Sequence, residues 1–181
     1  VITLNIHCNG THTESISHIV DEVIAPWSLA PILCPATLIS ITPTLSSKTD
    51  ESYTPALNPS DRVITAQSLK ACLDNVPDAF LQALIFRTMP NGTEKRERDY
   101  YDATFFTRDA MRYLVQRGVL HLLVDFPSID RMSDGGHLTA HHLFWNVPED
   151  SHQQVADSRK TASVSELIYV PDTATDGHYL L

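Results

Sequence analysis

The sequence predicts a mixed α/β fold, on three observations. Apolar or β-branched runs of strand length recur along the chain, at 1–6, 36–43, 81–88, 119–125 and 166–171. Two segments, after Thr65 and after Thr107, carry apolar residues at helical spacing. Strands therefore outnumber clear helices, which argues against a regular doubly wound sheet. The 181 residues suit one domain, over 1–181, large enough to bury a core.

VITLNI (1–6) alternates and is β-branched, as a strand does. Residues 25–35 hold three prolines and read as a loop or edge. ATLISITP (36–43) is the next strand, and 44–61, rich in Ser, Thr, Pro and Asp, an exposed loop. Thr65 is placed to cap a short helix with Leu69, Cys72, Leu73 and Val76 on one face. LQALIFRT (81–88) has strand length. MPNGTEKRERDYYD (89–102) is a polar loop whose charge run reads as a solvated face. Thr107 caps a second helix, with Asp109 in its first turn, an apolar stripe of Met111, Leu114 and Val115, and Gly118 to stop it. VLHLLVD (119–125) reads as a buried strand ending on an acid. Residues 131–162 show one apolar patch, LFWNV, before the last strand, ELIYVP (166–171). No internal repeat is visible.

A chain with 43% hydrophobic and 19% charged residues is composed like a soluble globular protein. Its net charge of −9 argues against a nucleic-acid partner. No apolar run approaches the ~18–20 residues of a membrane helix, and the start lacks the charged and apolar regions of a signal peptide. Cys8, Cys34 and Cys72 are odd in number, widely spaced and without a C-x-x-C pair. Reduced thiols, and hence a cytoplasmic location, are the expectation.

Chemistry concentrates in HCNGTHTESISH, residues 7–18, where three of nine histidines accompany one carboxylate. Imidazole and carboxylate are the usual ligands of zinc, manganese and iron. In an extended segment His12 and Glu14, two apart, share a face. Gly10 permits a turn that brings His7 back toward them, and His18 follows four residues later. Spacing alone leaves open a polar loop of hydrogen-bonded histidines, since there is no H-E-x-x-H helix and no cysteine pair for a structural zinc. Elsewhere, His121 in an apolar strand reads as a core histidine, and His137, His152 and His178 as loop residues without a role. Asp125 and Asp130 flank Pro127 and Ser128, as residues fixing a turn do. Trp27, Phe144 and Trp145 suit an aryl substrate or simply fill the core.

The stretch resembles H-x-G-T-H-x-D-x-P-x-H, the signature of the cyclase-like metal-dependent hydrolases, the family of bacterial kynurenine formamidase and isatin hydrolase. Gly10, Thr11 and His12 match, Glu14 stands for the Asp, and His18 for the last His. His7 matches the first His with one residue inserted, while strict register puts Cys8 there. Ile16 replaces the proline. FFTRDAMRYLVQRGVLHLLVDFPSID (105–130) is similar to the family's helix and strand ending in D-x-P-S-x-D, at Asp125, Pro127, Ser128 and Asp130. AHHLFW resembles its later Ala-His pair, with His141 the better match over His142, and SELIYVP the strand presenting a late Glu, here Glu166.

The resemblance implies a compact mixed β-sheet domain with flanking helices, of the swivelling β/β/α type. It implies a metal-activated water that hydrolyses a small amide, ester or cyclic amide, with Zn2+ or Mn2+ as one or two ions. His7, His12 and Glu14 would be ligands of the first ion. His141 and Glu166 would hold a second ion or act in proton transfer, and His18 would be the general acid or base. An arylformamidase acting on a small, aromatic N-formyl amine is expected. Ring opening of a cyclic amide or lactone, and a non-catalytic metal- or ligand-binding role, are the alternatives. Retention of His18, His141 and Glu166 beside the ligand set argues for catalysis. The family's members assemble as homodimers or larger, and relative to them the chain is expected to lack an amino-terminal segment and a final carboxyl-terminal strand.

Overall fold

The structure, a computed structural model, describes residues 1–3, 10–29, 33–100 and 102–181. Along the chain run β1 (His12–Glu14), β2 (Pro35–Ile41), β3 (Thr44–Leu45), β4 (Arg62–Ile64) and α1 (Ala66–Leu73). There follow β5 (Ala83–Thr88), β6 (Phe105–Phe106), α2 (Arg108–Gln116), β7 (His121–Leu123), α3 (Thr139–Trp145), β8 (Ser163–Glu166) and β9 (Gly177–Leu180). One sheet has six strands in the order β1-β8-β7-β5-β2-β9, and a smaller one the order β3-β4-β6. Strands β8, β7, β5 and β2 are parallel, and β1 and β9 close the edges antiparallel. This is the mixed α/β fold that the strand and helix patterns predict, with the flanking helices that the resemblance implies.

Each of the first two helices begins where its threonine stands. Thr65 Oγ1 accepts the Ser68 N–H at 3.1 Å, and Ser68 Oγ accepts the Thr65 N–H in return, a capping box. The Glu51 carboxylate adds acceptors for the Ala66 and Gln67 N–H groups and for the Thr107 hydroxyl, tying both helix starts to one acid. Thr107 Oγ1 caps α2 through the Ala110 N–H, and Gly118, at φ +76°, lets the chain leave it. Leu69 and Leu73 of α1, Met111 and Leu114 of α2, and Phe144 and Trp145 of α3 bury against Leu84, Phe86, Leu122 and Val164 of the large sheet. Fully burying each such side chain contributes ~1.5–3 kcal/mol.

Several elements differ from the sequence expectation. Val1–Thr3 form no strand, and 4–6 lie outside the described residues. Strand β3 lies within the expected loop 44–61, and β4 and β6 just after the two polar loops; at two or three residues all are too short to show alternation. The last predicted strand is shifted: β8 ends on Glu166 rather than starting there, because Leu167 takes a left-handed φ of +53° that breaks the ladder. His178 lies in strand β9, not in a loop, stacked on Phe80. Helix α3 is absent from the expectation. It is seven residues long and buried almost all round, so it has no polar face to betray a period. The charged run 89–102 is not purely a solvated face either. Lys95 is buried, with Nζ 2.8 Å from Asp125 Oδ2, 3.0 Å from Thr88 Oγ1 and 3.2 Å from Asn91 Oδ1. A lysine so fully paired can be buried where an isolated one cannot.

Candidate metal centre

The site starts from strand register. Strand β1 pairs antiparallel with β8, with His12 directly opposite Glu166. Residues opposite one another, and residues two apart, project from the same face, so His12, Glu14 and Glu166 converge. His12 Nε2 lies 3.0 Å from Glu14 Oε1 and 3.5 Å from Glu166 Oε2. The other ring nitrogen, Nδ1, is 2.9 Å from the Gly10 carbonyl oxygen. A carbonyl only accepts, so Nδ1 carries a hydrogen, and Nε2 is the nitrogen that faces the carboxylates.

The opposite wall comes from α3. His141, fully buried in its first turn, sets Nε2 3.1 Å from Glu14 Oε2 and 3.6 Å from Glu166 Oε1, with Nδ1 2.5 Å from Asp130 Oδ2. Glu14 is central, facing His12 with one oxygen and His141 with the other. His18 stands at the mouth, its side chain one quarter exposed, with Nδ1 3.8 Å from Glu14 Oε1 and its ring 5.0 Å from that of His141. Two ligand triads result, His12–Glu14–Glu166 and Glu14–His18–His141, sharing Glu14.

The geometry suits a divalent cation. Two imidazole nitrogens and four carboxylate oxygens face each other at 3.0–3.6 Å. With bonds of ~2.0–2.1 Å to a tetrahedral zinc, ligand atoms sit about 3.3 Å apart. Glu166 Oε1 accepts the Ile129 N–H at 2.8 Å, but Oε2 is buried and makes no hydrogen bond among the described residues. A buried acceptor without a donor is costly, and a metal ion relieves that cost. Protons register the same demand. Burial and the nearby Glu14 charge push the Glu166 carboxyl up to about 7, against the pull of His141. Burial lowers the His141 imidazole, yet its bonds to Asp130 and Glu14 outweigh that and hold it well above an ordinary histidine.

The structure thus brings together five of the six residues singled out in the sequence: His12, Glu14, His18, His141 and Glu166. His7, and with it the alternative Cys8, lies outside the described residues. His142 turns away, Nδ1 3.3 Å from the Val147 carbonyl, and burial lowers its pKa. His121 bonds Ser163 Oγ at 2.7 Å, as a satisfied structural histidine does. Phe144 and Trp145 are wholly core, and Trp27 is exposed. Asp130 does more than fix a turn: it holds His141 by side chain and backbone. Tyr53, which donates to Asp130 Oδ1 at 2.6 Å, carries no signal in the sequence that points to the site. The expected pairing of Asp125 with the turn is instead an ion pair with Lys95 and bonds to Thr88.

A cavity of about 580 Å³ is lined by residues that include Thr11, Pro127, Leu167, Arg98, Tyr100 and Tyr169, and by none of the five site residues. Thr11 and Leu167 adjoin His12 and Glu166 in the chain, and Thr11 Oγ1 donates to the Leu167 carbonyl at 2.5 Å. The aromatic walls are therefore tyrosines, with Arg96 over the Tyr169 ring and Arg98 over the Tyr100 ring. No helix is long and apolar enough to cross a membrane among the described residues.

A family model, Cyclase ("Putative cyclase"), matches residues 1–131. No curated protein matches the chain. Among solved structures, one described as a "Potential Metal-Dependent Hydrolase With Cyclase Activity" aligns at TM-score 0.59 and 18% identity, over 98% of this chain and 69% of that one. A predicted metal-dependent hydrolase from Bacillus stearothermophilus aligns at 0.58 and 17%, over 98% of this chain and 68% of that one. An isatin hydrolase with a bound product analogue, thioisatinate, aligns at 0.55 and 17%, over 97% of this chain and 64% of that one.

Proposed function

The chain belongs to the Cyclase family, and on that premise we propose that it is a metal-dependent hydrolase cleaving the C–N bond of a small amide. The observation that carries this reading is the convergence of His12, Glu14, His141 and Glu166, with one Glu166 oxygen left without a donor among the described residues. His12, Glu14 and Glu166 would hold one ion, and His141, sharing Glu14 and Glu166, would help hold a second where two are bound. His7 would complete the first set. Zinc, with manganese as the other candidate, suits this set of nitrogen and oxygen donors. A bound divalent ion supplies a Lewis acid that lowers the pKa of water to ~7 and polarises a carbonyl.

The remaining chemistry belongs to the chain. His18, partly exposed at the mouth and 3.8 Å from Glu14 Oε1, is placed to carry a proton to the leaving nitrogen. Ile129, whose N–H bonds Glu166, and Trp145, whose ring lies 5.5 Å from that of His141, are fully buried beside the site and would limit access of bulk water there. The tyrosine-lined cavity accommodates a small aromatic group. An arylformamide is the first substrate, N-formylkynurenine its type. Ring opening of a cyclic amide is the second reading, favoured by the similarity to an isatin hydrolase. An assembly of two or more copies accompanies either reading.

Assay of zinc- and manganese-loaded protein against N-formylkynurenine, isatin and simple lactones tests it. Turnover of one class above a chelator-treated control supports the reading and selects the substrate. A protein that binds metal stoichiometrically but turns over none of them contradicts it, and a binding role then stands.

A further inference from the structure

We propose that Asp130, held by Tyr53, is the positioning residue that fixes which nitrogen of His141 faces the metal centre, and that one carboxylate thereby joins the site and the start of α3 into a single unit. The proposal rests on reading the site as a metal centre.

Helix α3 has no local cap. Leu138, at φ +45°, offers no side-chain bond to the first turn. The missing acceptors come from Asp130, in the loop after β7. Its Oδ1 accepts the Ala140 N–H at 2.6 Å and the Tyr53 hydroxyl at 2.6 Å. Its Oδ2 accepts the His141 N–H at 3.1 Å and faces His141 Nδ1 at 2.5 Å. Four donors on two oxygens leave the carboxylate no free rotation, because any turn breaks two bonds. With both oxygens already accepting the Tyr53, Ala140 and His141 backbone hydrogens, the carboxylate accepts from Nδ1 as well, so Nδ1 carries a hydrogen and Nε2 is the nitrogen that faces Glu14 and Glu166.

Tyr53 makes the arrangement directional. It is buried, its ring 4.8 Å from Phe105 edge-on and 5.6 Å from the Arg131 guanidinium. Its oxygen accepts the Arg131 N–H at 3.1 Å, so its own hydrogen goes to Asp130 Oδ1 and holds that oxygen away from the histidine. The ring stands on a segment remote in sequence from both β1 and α3, which is why the sequence gives no hint of it.

The test uses Asp130→Asn, Tyr53→Phe and a control, Asp134→Asn. Asp134 orders the same loop through the Gly136 and Leu138 N–H groups but does not touch His141. An asparagine at 130 fits in either orientation only by setting its amide against a backbone N–H. Cobalt(II) titration of the metal-free proteins is expected to show ~10–100-fold weaker binding for D130N, the range for losing such a supporting partner. Y53F should show a smaller loss, and D134N wild-type affinity. In the zinc-loaded proteins, long-range proton–nitrogen spectra should show His141 protonated at Nδ1 in wild type and D134N, and no longer solely so in D130N. Cobalt affinity unchanged in D130N, or lost equally in D134N, overturns the proposal and leaves Asp130 as a loop support. If D130N does not fold, Y53F decides: unchanged affinity and an unchanged His141 spectrum overturn it. A wild-type protein that binds no cobalt refutes the metal centre itself, and this proposal with it.

Discussion

Replacing Glu166 by glutamine should stabilise the metal-free protein and weaken the metal-loaded one. Without metal, Glu166 is a buried acid facing Glu14, with its carboxyl pushed up to about 7 from an ordinary 4.5. Its folded value lies above its unfolded value, so the folded state holds the proton more tightly. Stability is therefore full below about pH 4.5 and falls as pH rises to about 7, where the folded protein also loses the proton. At ~1.36 kcal/mol per pH unit, that interval amounts to about 3 kcal/mol, the attraction of His141 already included. Glutamine has the same shape and no charge. Its amide oxygen can keep the Ile129 N–H, and its NH2 can point toward His12 Nε2. Denaturant unfolding in chelator should give E166Q ~1–3 kcal/mol more stability than wild type at pH 8 and little difference at pH 4.5. With saturating zinc at pH 8 the order should reverse, because the amide is a poor ligand. E166Q less stable than wild type in chelator at pH 8 would refute the reasoning, since the carboxylate would then be favourably held without a cation.

Three further outcomes follow from the geometry. His18→Ala should lower kcat by ~10²-fold or more, the usual range for a general acid or base, while a metal equivalent stays bound at the His12–Glu14–Glu166 triad; kinetics beside metal analysis check this. Lys95→Met leaves Asp125 buried with Thr88 as its only remaining partner among the described residues, and should cost ~3–5 kcal/mol in denaturant unfolding. Trp145→Ala removes a fully buried ring packed 5.5 Å from the His141 ring, and should cost ~3–5 kcal/mol and weaken metal binding as well.

The chain reads clearly where local chemistry decides structure. Thr65 and Thr107 announce α1 and α2 because each supplies its own cap, and β2 and β5 show because they are six or seven residues long and mostly buried. His12 and Glu14 are legible because their spacing matches the strand repeat. The rest depends on contacts distant in sequence. Helix α3 takes its cap from Asp130, nine residues before its first residue, so no local signal marks its start. Tyr53 reaches the centre only through Asp130. Lys95 looks solvated within a charge run, and its burial depends on Asp125 thirty residues on. The apolar run ELIYVP puts Glu166 at a strand's start, whereas the left-handed Leu167 makes it the strand's last residue.

The measurement that tests the account most directly is metal content, by elemental analysis of protein purified without added metal, beside His12→Ala. The account predicts about one or two equivalents of zinc or manganese in wild type, and loss of at least one in the variant. No metal in wild type, even after incubation with excess zinc and manganese followed by desalting, would contradict it.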